Sequence, residues 1–153
     1  MIKNINFLFV TFFGIGTIRY APGTISSLIT TILLFSFFHI LNFSNIIILT
    51  MFLTIFFYSF FAIESYIKDE FNKDPKEIVI DEWVGMWISL YLVPHTIVWG
   101  FIAFFFFRLF DILKPGPVQM MDDMDDSIGV MMDDVVAGIL ACLVTQSLLY
   151  FNQ

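Results

Sequence analysis

The chain of 153 residues has the length of a single domain and the composition of a membrane protein. Hydrophobic residues make up 59% of it, 21 residues are phenylalanine, and only 14% are charged, against roughly a quarter in ordinary soluble domains. Its net charge of −7, without clusters of basic residues, argues against nucleic acid as a partner. An anionic substrate would require added positive charge, and a divalent cation is the simplest source.

The N-terminal part of the chain predicts one short helix and two membrane spans. Residues 1–18 hold a single basic residue and an apolar run that two glycines interrupt, which indicates a short membrane-associated or re-entrant helix and not a cleavable signal peptide. No formal charge occurs over 20–63, which suffices for two spans of about 20 residues each. The turn-forming cluster at 42–45 divides this run into spans near 25–41 and 46–63.

The uncharged segment 83–107 permits two threadings, because Pro94 divides it. One is a single span kinked at Pro94, with its charged ends on opposite sides of the membrane. The other, which we favour, is a hairpin of two short helices, about 78–93 and 97–113. In the hairpin, ionisable groups of both helices lie within or at the lipid boundary, where charges are costly and persist mainly when they are paired or bound to an ion.

A last apolar helix is predicted near 128–151. Residues 1–153 are therefore expected to form one all-α, polytopic membrane helical bundle of about five hydrophobic helices plus a short N-terminal membrane-associated helix. With the hairpin, all charged residues fall on one face of the membrane. Short loops rich in lysine stay inside, so the segment 64–77 assigns this face to the cytoplasm.

Three charged residues follow a run of four phenylalanines at intervals of three. This spacing places Arg108, Asp111 and Lys114 on one polar stripe of a helix. They could form an ion pair, with Lys114 reaching the membrane interface. Alternatively, Arg108 and Lys114 could bind a phosphate while Asp111 binds a metal.

Two pairs of adjacent carboxylates flank that stripe in the sequence, Asp81 with Glu82 and Asp133 with Asp134. One such pair could be incidental, for example a charge bias at the start of a helix. Both pairs and Asp111 make five carboxylates, which repel one another strongly unless a cation lies among them. Hard oxygen ligands of this kind favour Mg²⁺, especially where a substrate phosphate completes its shell.

The segment 14–28 offers a possible anion site at the start of a helix. Gly23 and Thr24 resemble a phosphate-cradling turn, because free N–H groups at a helix N-terminus attract anions. An ordinary capped helix start is the alternative.

The acidic stretch 121–129 is interpreted as a solvated loop. It does not match an EF-hand loop, because Ile128 occupies the position that requires glycine. Only two histidines exist, His39 and His95, and both are predicted at the other face of the membrane. Catalysis is therefore expected to rest on metal and carboxylates.

The motifs together resemble those of the phosphatidylglycerophosphatase A family. They are, in order, APGTISS (21–27), IDEWVGMW (80–87), FRLFDILKPGP (107–117) and GVMMDDVVAG (129–138). The resemblance implies Mg²⁺-dependent hydrolysis of the terminal phosphate monoester of phosphatidylglycerophosphate, a membrane phospholipid. It also implies an all-helical fold in the cytoplasmic membrane of a bacterium, with an active site that faces the cytoplasm.

The resemblance also implies a set of site residues, matched by position. They are the acidic residues Asp81, Glu82, Asp111, Asp133 and Asp134, the basic residues Arg108 and Lys114, and the turn residues Gly23 and Thr24. We predict that the carboxylates hold one or two Mg²⁺ ions and orient a water, with Asp81 or Glu82 as its base, while the other residues bind the phosphate. An aspartate nucleophile is the alternative.

Other classes of function fit parts of the pattern. A divalent-cation transporter would also place carboxylates in a membrane, but the second half of each predicted span is nearly all apolar. A different Mg²⁺-dependent enzyme of phospholipid synthesis, a CDP-alcohol phosphatidyltransferase, would carry an Asp-x-x-Asp-Gly signature, which this sequence lacks. A structural membrane subunit would tolerate loss of Asp81 or Asp133.

Overall fold

The computed structural model describes residues 2–68, 76–94, 96–124 and 126–152. Within these ranges the chain forms α-helices, a short 3₁₀ turn at Ile15–Thr17 and no strand, which confirms the predicted all-helical class. The helices are α1 (Ile2–Val10), α2 (Pro22–His39), α3 (Asn45–Ile67), α4 (Ile80–Leu90), α5 (Ile97–Leu113), α6 (Pro117–Asp122) and α7 (Ser127–Phe151).

Three of these helices, α2, α3 and α7, are long and apolar enough to cross a membrane. The first two lie where the uncharged run predicts spans. They are separated at Asn42, which has a positive φ of 49°, and Ser44 then caps α3. Only 22% of the apolar window of α3 is buried inside the protein, against 56% for α7. Helix α3 therefore presents most of its surface to lipid, whereas α7 is central.

Helices α4 and α5 form the predicted hairpin and not one kinked span. Helix α4 ends at Leu90 and α5 begins at Ile97, with Pro94 between them. The start of α4 lies beside the end of α5, since Glu82 and Arg108 both line one cavity. At 11 residues, α4 is about 16 Å long and shorter than the predicted 78–93, so it reaches about halfway through a hydrocarbon core of about 30 Å.

A close crossing of α4 and α7 fixes the centre of the bundle. A Cβ atom on Gly85 would lie 2.5 Å from the carbonyl oxygen of Asp134, and one on Gly138 would overlap the carbonyl oxygen of Gly85. The two backbones are therefore in contact, as small residues at a helix interface allow. This contact brings the carboxylate pair at the start of α4 to the pair in the second turn of α7.

The N-terminal segment packs against the polypeptide that leads into α4. The Val79 N–H donates to the Val10 carbonyl at 2.9 Å, and the buried Ser26 hydroxyl donates to the Val79 carbonyl at 2.9 Å. On its other side, α1 contacts α3, where Asn6 donates to the Ser65 hydroxyl. Helix α1 has 9 residues, which is too short to cross a bilayer.

The acidic stretch 121–129 was predicted to be a solvated loop, but helices occupy both of its ends, so the prediction was wrong there. Helix α6 ends at Asp122, and Asp126 caps α7 by accepting a hydrogen bond from the Gly129 N–H at 2.8 Å. Asp122 in turn pairs with Lys114. Asp125, in the same stretch, lies outside the described residues.

Candidate active site

A polar cavity of about 610 Å³ lies where α2, α4, α5, α6 and α7 converge, and we call it the polar cavity. Every predicted site residue lines it. They are Gly23 and Thr24 of α2, Asp81 and Glu82 of α4, Arg108 and Asp111 of α5, Lys114 at the end of α5, and Asp133 and Asp134 of α7. Residues from four distant segments are thus brought together, while the role of each one stays a prediction.

Three of the five predicted carboxylates form a tight cluster. Each of Asp81, Glu82 and Asp134 offers an oxygen, and these oxygens all lie within 4.8 Å of one another. Asp81 is 8% exposed and Asp134 3% exposed. We call this set the carboxylate cluster.

Two oxygens of the carboxylate cluster are buried without a hydrogen-bond donor among the described residues. They are Glu82 Oε2 and Asp134 Oδ1. A buried carboxylate that lacks a partner is costly, and close carboxylates repel each other. A divalent cation would remove both costs, and hard carboxylate oxygens are the ligands that Mg²⁺ prefers. The cluster therefore fits a magnesium ion.

The fourth predicted carboxylate, Asp111, pairs with Arg108 instead. Arg108 Nη1 lies 2.7 Å from Asp111 Oδ2 and donates to the Ser27 hydroxyl at 3.4 Å. The i,i+3 ion pair that the spacing allows is thus present, and it lies inside the polar cavity. Arg108 Nε is buried and has no acceptor among the described residues, so the guanidinium keeps a free donor.

The fifth carboxylate, Asp133, is held by Lys114. Lys114 Nζ donates to Asp133 Oδ2 at 2.9 Å and to Asp122. Partial burial would by itself lower the pKa of Lys114, but the hydrogen bonds and negative charges of the two aspartates outweigh burial and raise it. Lys114 is therefore a permanent cation.

The start of α2 forms the opposite wall of the polar cavity. A Cβ atom on Gly23 would overlap Glu82 Oε1 and lie 3.3 Å from Arg108 Nη1, so only glycine leaves these side chains in place. The first hydrogen bond of the helix runs from the Ile25 N–H to the Ala21 carbonyl. The N–H groups of Gly23 and Thr24 therefore have no acceptor within the helix, as the predicted anion site requires.

Sequence reasoning missed several residues of the polar cavity. Asp122, Asp126 and Lys76 line it, and Ser27 supports Arg108. The spacing of Asp122 and Asp126 by four residues, just before a helix, was the available signal. Among the described residues, seven acidic and three basic side chains line the cavity, so acidic groups outnumber basic ones there. His95, predicted at the other face, lies outside the described residues.

Comparison with known proteins agrees with the motifs. The phosphatidylglycerophosphatase A family matches residues 8–149. A Bacteroides thetaiotaomicron protein, provisionally named phosphatidylinositol-3-phosphatase, is 39% identical over 84% of each chain. Phosphatidylglycerophosphatase A of Haemophilus influenzae is 37% identical over 91% of this chain and 85% of that protein, and that of Escherichia coli is 39% identical over 55% and 48%.

No solved structure gives a significant match to the chain. The relatives are bacterial, and the apolar helices suit a bilayer, so the protein is a bacterial membrane protein. The family match spans nearly the whole sequence and confirms the resemblance that the four motifs indicate. The chain belongs to the phosphatidylglycerophosphatase A family and is a phosphatase.

Proposed function

We propose that the protein removes the terminal phosphate of phosphatidylglycerophosphate and releases phosphatidylglycerol and inorganic phosphate, with Mg²⁺ as cofactor. The observation that carries this proposal is the polar cavity, which contains the carboxylate cluster together with two cations, Arg108 and Lys114. Ionised carboxylates would repel a phosphate monoester dianion, and a bound metal would offset that repulsion. The family supports the choice of lipid.

Asp81, Glu82 and Asp134 would hold the metal. When bound, Mg²⁺ would lower the pKa of a coordinated water and polarise a phosphoryl oxygen. The carboxylates contribute by placing negative oxygens at fixed positions on two rigid helices in backbone contact.

The basic residues would orient the phosphate. Arg108 is held by Asp111 and Ser27, so its guanidinium is pre-positioned and loses little freedom when it binds phosphoryl oxygens. Lys114 is fixed between Asp122 and Asp133 and adds a point charge. The free N–H groups at the start of α2 supply further donors, which suits charge on the equatorial oxygens.

The reaction is then an in-line displacement at phosphorus. The water oxygen forms a bond to phosphorus while the bond from phosphorus to the glycerol oxygen breaks. Asp81 or Glu82 accepts one proton of the water, and the glycerol oxygen leaves as an alcohol after it takes a proton from solvent, to which the carboxyl group later returns its own. An aspartate nucleophile with a phospho-enzyme intermediate is the alternative, and acid quenching with labelled substrate would trap it.

We further propose that the polar cavity faces the cytoplasm of a multi-pass protein in the inner membrane. The lysine-rich segment 64–77 supports this orientation. The lipid substrate would enter sideways from the bilayer, so that only its headgroup moves into the cavity.

The test uses purified protein in detergent with phosphatidylglycerophosphate, and it measures free phosphate with Mg²⁺ or with EDTA. We expect release only with Mg²⁺, and a loss of about 100-fold or more in kcat/KM for Asp81→Asn. The control Glu64→Gln, on an exposed part of α3, should keep full activity. Phosphate release that survives both EDTA and Asp81→Asn would overturn the proposal.

A second substrate is supported by one observation, the name of the Bacteroides relative. Phosphatidylinositol 3-phosphate carries the same phosphate monoester on a bulkier headgroup. The same assay with both lipids at equal mole fraction compares kcat/KM. We expect the glycerol headgroup to be preferred, and a higher kcat/KM for the inositol lipid would reverse the assignment.

A further inference from the structure

An apolar groove of about 380 Å³ lies between α2 and α5, on the surface of the bundle, and we call it the α2–α5 groove. Six apolar side chains line most of it, Leu28, Ile32 and Phe35 from α2 and Ile97, Phe101 and Phe104 from α5. Ile32, Phe101 and Ile97 are 56%, 60% and 69% exposed, so the groove opens outward to where lipid would lie.

The groove and the polar cavity lie on the same faces of the same two helices. On α5, Ile97, Phe101 and Phe104 follow one another at steps of four and three residues. Continuing by four and three residues reaches Arg108 and Asp111, which line the cavity. Side chains at such steps lie one above another on a helix. The lining of the groove therefore leads along α5 directly to Arg108 in the polar cavity.

Helix α2 shows the same continuity from the other side. Leu28 lines the groove, and Thr24, one turn earlier, lines the cavity. Gly100 brings the two helices together beneath the groove, because a Cβ atom there would lie 2.8 Å from the Phe35 ring. The end of the groove at Leu28 therefore borders the polar cavity, while Ser36 and His39 line the other end.

The distance along α5 from the far end of the groove to Arg108 suits a hydrocarbon chain. Ile97 and Arg108 are separated by 11 residues, or about 16 Å of helix. One leaflet of the hydrocarbon core is about 15 Å thick, half of about 30 Å. A lipid with its phosphate beside Arg108 would therefore lay one acyl chain along the full groove.

A second apolar groove provides a comparison for the position of the α2–α5 groove relative to the polar cavity. It has about 400 Å³ and is lined by Phe52, Tyr91 and Leu143, among others. Tyr91 follows the end of α4, whereas Asp81 of the cavity lies at its start, about 15 Å away along the helix. Residues 83–87 of α4 are all buried, so no exposed apolar strip on this helix leads from the second groove to the polar cavity.

We propose that the α2–α5 groove binds one acyl chain of the lipid whose phosphate occupies the polar cavity. The proposal rests on the proposed function, since it makes the groove the part of the substrate site that recognises hydrocarbon. Recognition there is by shape and van der Waals packing, because an acyl chain that enters the groove only exchanges lipid neighbours for protein side chains of similar polarity. Lipid that only surrounds the protein would show no link between the headgroup and the groove.

Photo-crosslinking of the wild-type protein in phosphatidylcholine vesicles tests this link. The probe is phosphatidylglycerophosphate with a diazirine in one acyl chain, and the control probe is phosphatidylcholine with the same chain. We expect the phosphorylated probe to label α2 and α5 more strongly, and excess unlabelled phosphatidylglycerophosphate to suppress that label. Equal labelling by both probes, or label that the competitor leaves unchanged, would overturn the proposal.

A pair of matched variants adds a kinetic measurement. Ile32→Trp fills the α2–α5 groove, and Leu143→Trp puts the same ring into the second groove. For a long-chain substrate we expect KM to rise about fivefold or more in Ile32→Trp only. For a dihexanoyl substrate with the same headgroup, all three proteins should have similar KM values. Equal KM values for the long-chain substrate in both variants would count against the groove.

The two experiments separate the two proposals. If the wild-type protein released no phosphate from either substrate, the proposed function would fail. Selective crosslinking in α2 and α5 would still support the groove as a site for an anionic phospholipid, and its absence would reject the groove too. Thermal unfolding in detergent would check that both tryptophan variants are folded.

Discussion

At the scale of single residues, two buried carboxylate oxygens, Glu82 Oε2 and Asp134 Oδ1, have no donor in the part of the chain that the structure describes. Such an arrangement opposes folding, because the unfolded chain would hydrate both groups. A ligand that binds only the folded state reverses this penalty, and its contribution grows with its concentration. If the cluster binds a metal as proposed, metal binding would therefore stabilise the fold.

We predict that Mg²⁺ raises the thermal unfolding temperature of the protein in detergent. At a concentration 100 times its dissociation constant, a bound ion adds about 2.7 kcal/mol to the free energy of unfolding. Asp134→Asn should abolish most of the shift, whereas Glu64→Gln should retain it. Equal unfolding temperatures in EDTA and in millimolar Mg²⁺ would contradict a metal at the carboxylate cluster.

A second prediction concerns Gly23. The methyl group of Gly23→Ala would displace the Glu82 carboxylate, which is the flexible end of a side chain. The fold should therefore persist while the cluster is distorted, and we expect kcat/KM to fall about 10- to 100-fold with a small change in unfolding temperature. Thr54→Ala, whose hydroxyl donates only to its own helix, is the control. Full activity in Gly23→Ala would show that Glu82 has no role.

At the scale of helices, the contact between α4 and α7 aligns the carboxylate pairs. We predict that Gly138→Ala, whose methyl group would overlap the Gly85 carbonyl oxygen, forces these backbones apart. Overpacking of this kind costs about 1–3 kcal/mol, and activity should fall as well because the cluster opens. Chemical unfolding and phosphate release measure the two effects. The control is Ser147→Ala on an exposed part of α7, and a fully stable, active Gly138→Ala protein would refute the mechanism.

Which helices the sequence could predict follows from simple physics. The spans α2, α3 and α7 were predictable because long uncharged runs leave a chain no stable alternative in lipid. The hairpin was predictable because Pro94 breaks a segment with charges at both ends. Helix α6 was missed because its six residues are too few to show a periodicity. The capping role of Asp126 was hidden among neighbouring aspartates.

The residues of the candidate site were also predictable in part. Carboxylates at helix ends in a membrane protein are functional candidates, so the set that lines the polar cavity could be chosen from the sequence. Which of these residues pair with one another could be predicted only in part. The pair of Arg108 with Asp111 was one of the two alternatives that the i,i+3 spacing allowed, but the pair of Asp133 with Lys114 depends on rotamers and helix rotation, which spacing alone does not determine. Asp122 lines the polar cavity only because α6 folds back toward Lys114.

At the scale of the whole molecule, ten charged side chains of the described residues line one cavity, and this asymmetry predicts a fixed orientation. In a Cys142→Ser background, Gln119→Cys should react with an impermeant maleimide only from the cytoplasmic side. Thr96→Cys, at the other end of α5, should react only from outside. Intact cells and inside-out vesicles provide the two measurements. Labelling of both positions from one side would rule out this orientation.

The shared strip of α2 and α5 has a consequence for how the enzyme would meet its substrate. A lipid bound there stays in its own leaflet, so the enzyme and its substrate would meet by two-dimensional diffusion within the membrane. Turnover should then follow the mole fraction of substrate in the bilayer and not its amount per volume. Diluting the substrate lipid with an inert phospholipid, at constant total substrate in the tube, should therefore slow the reaction.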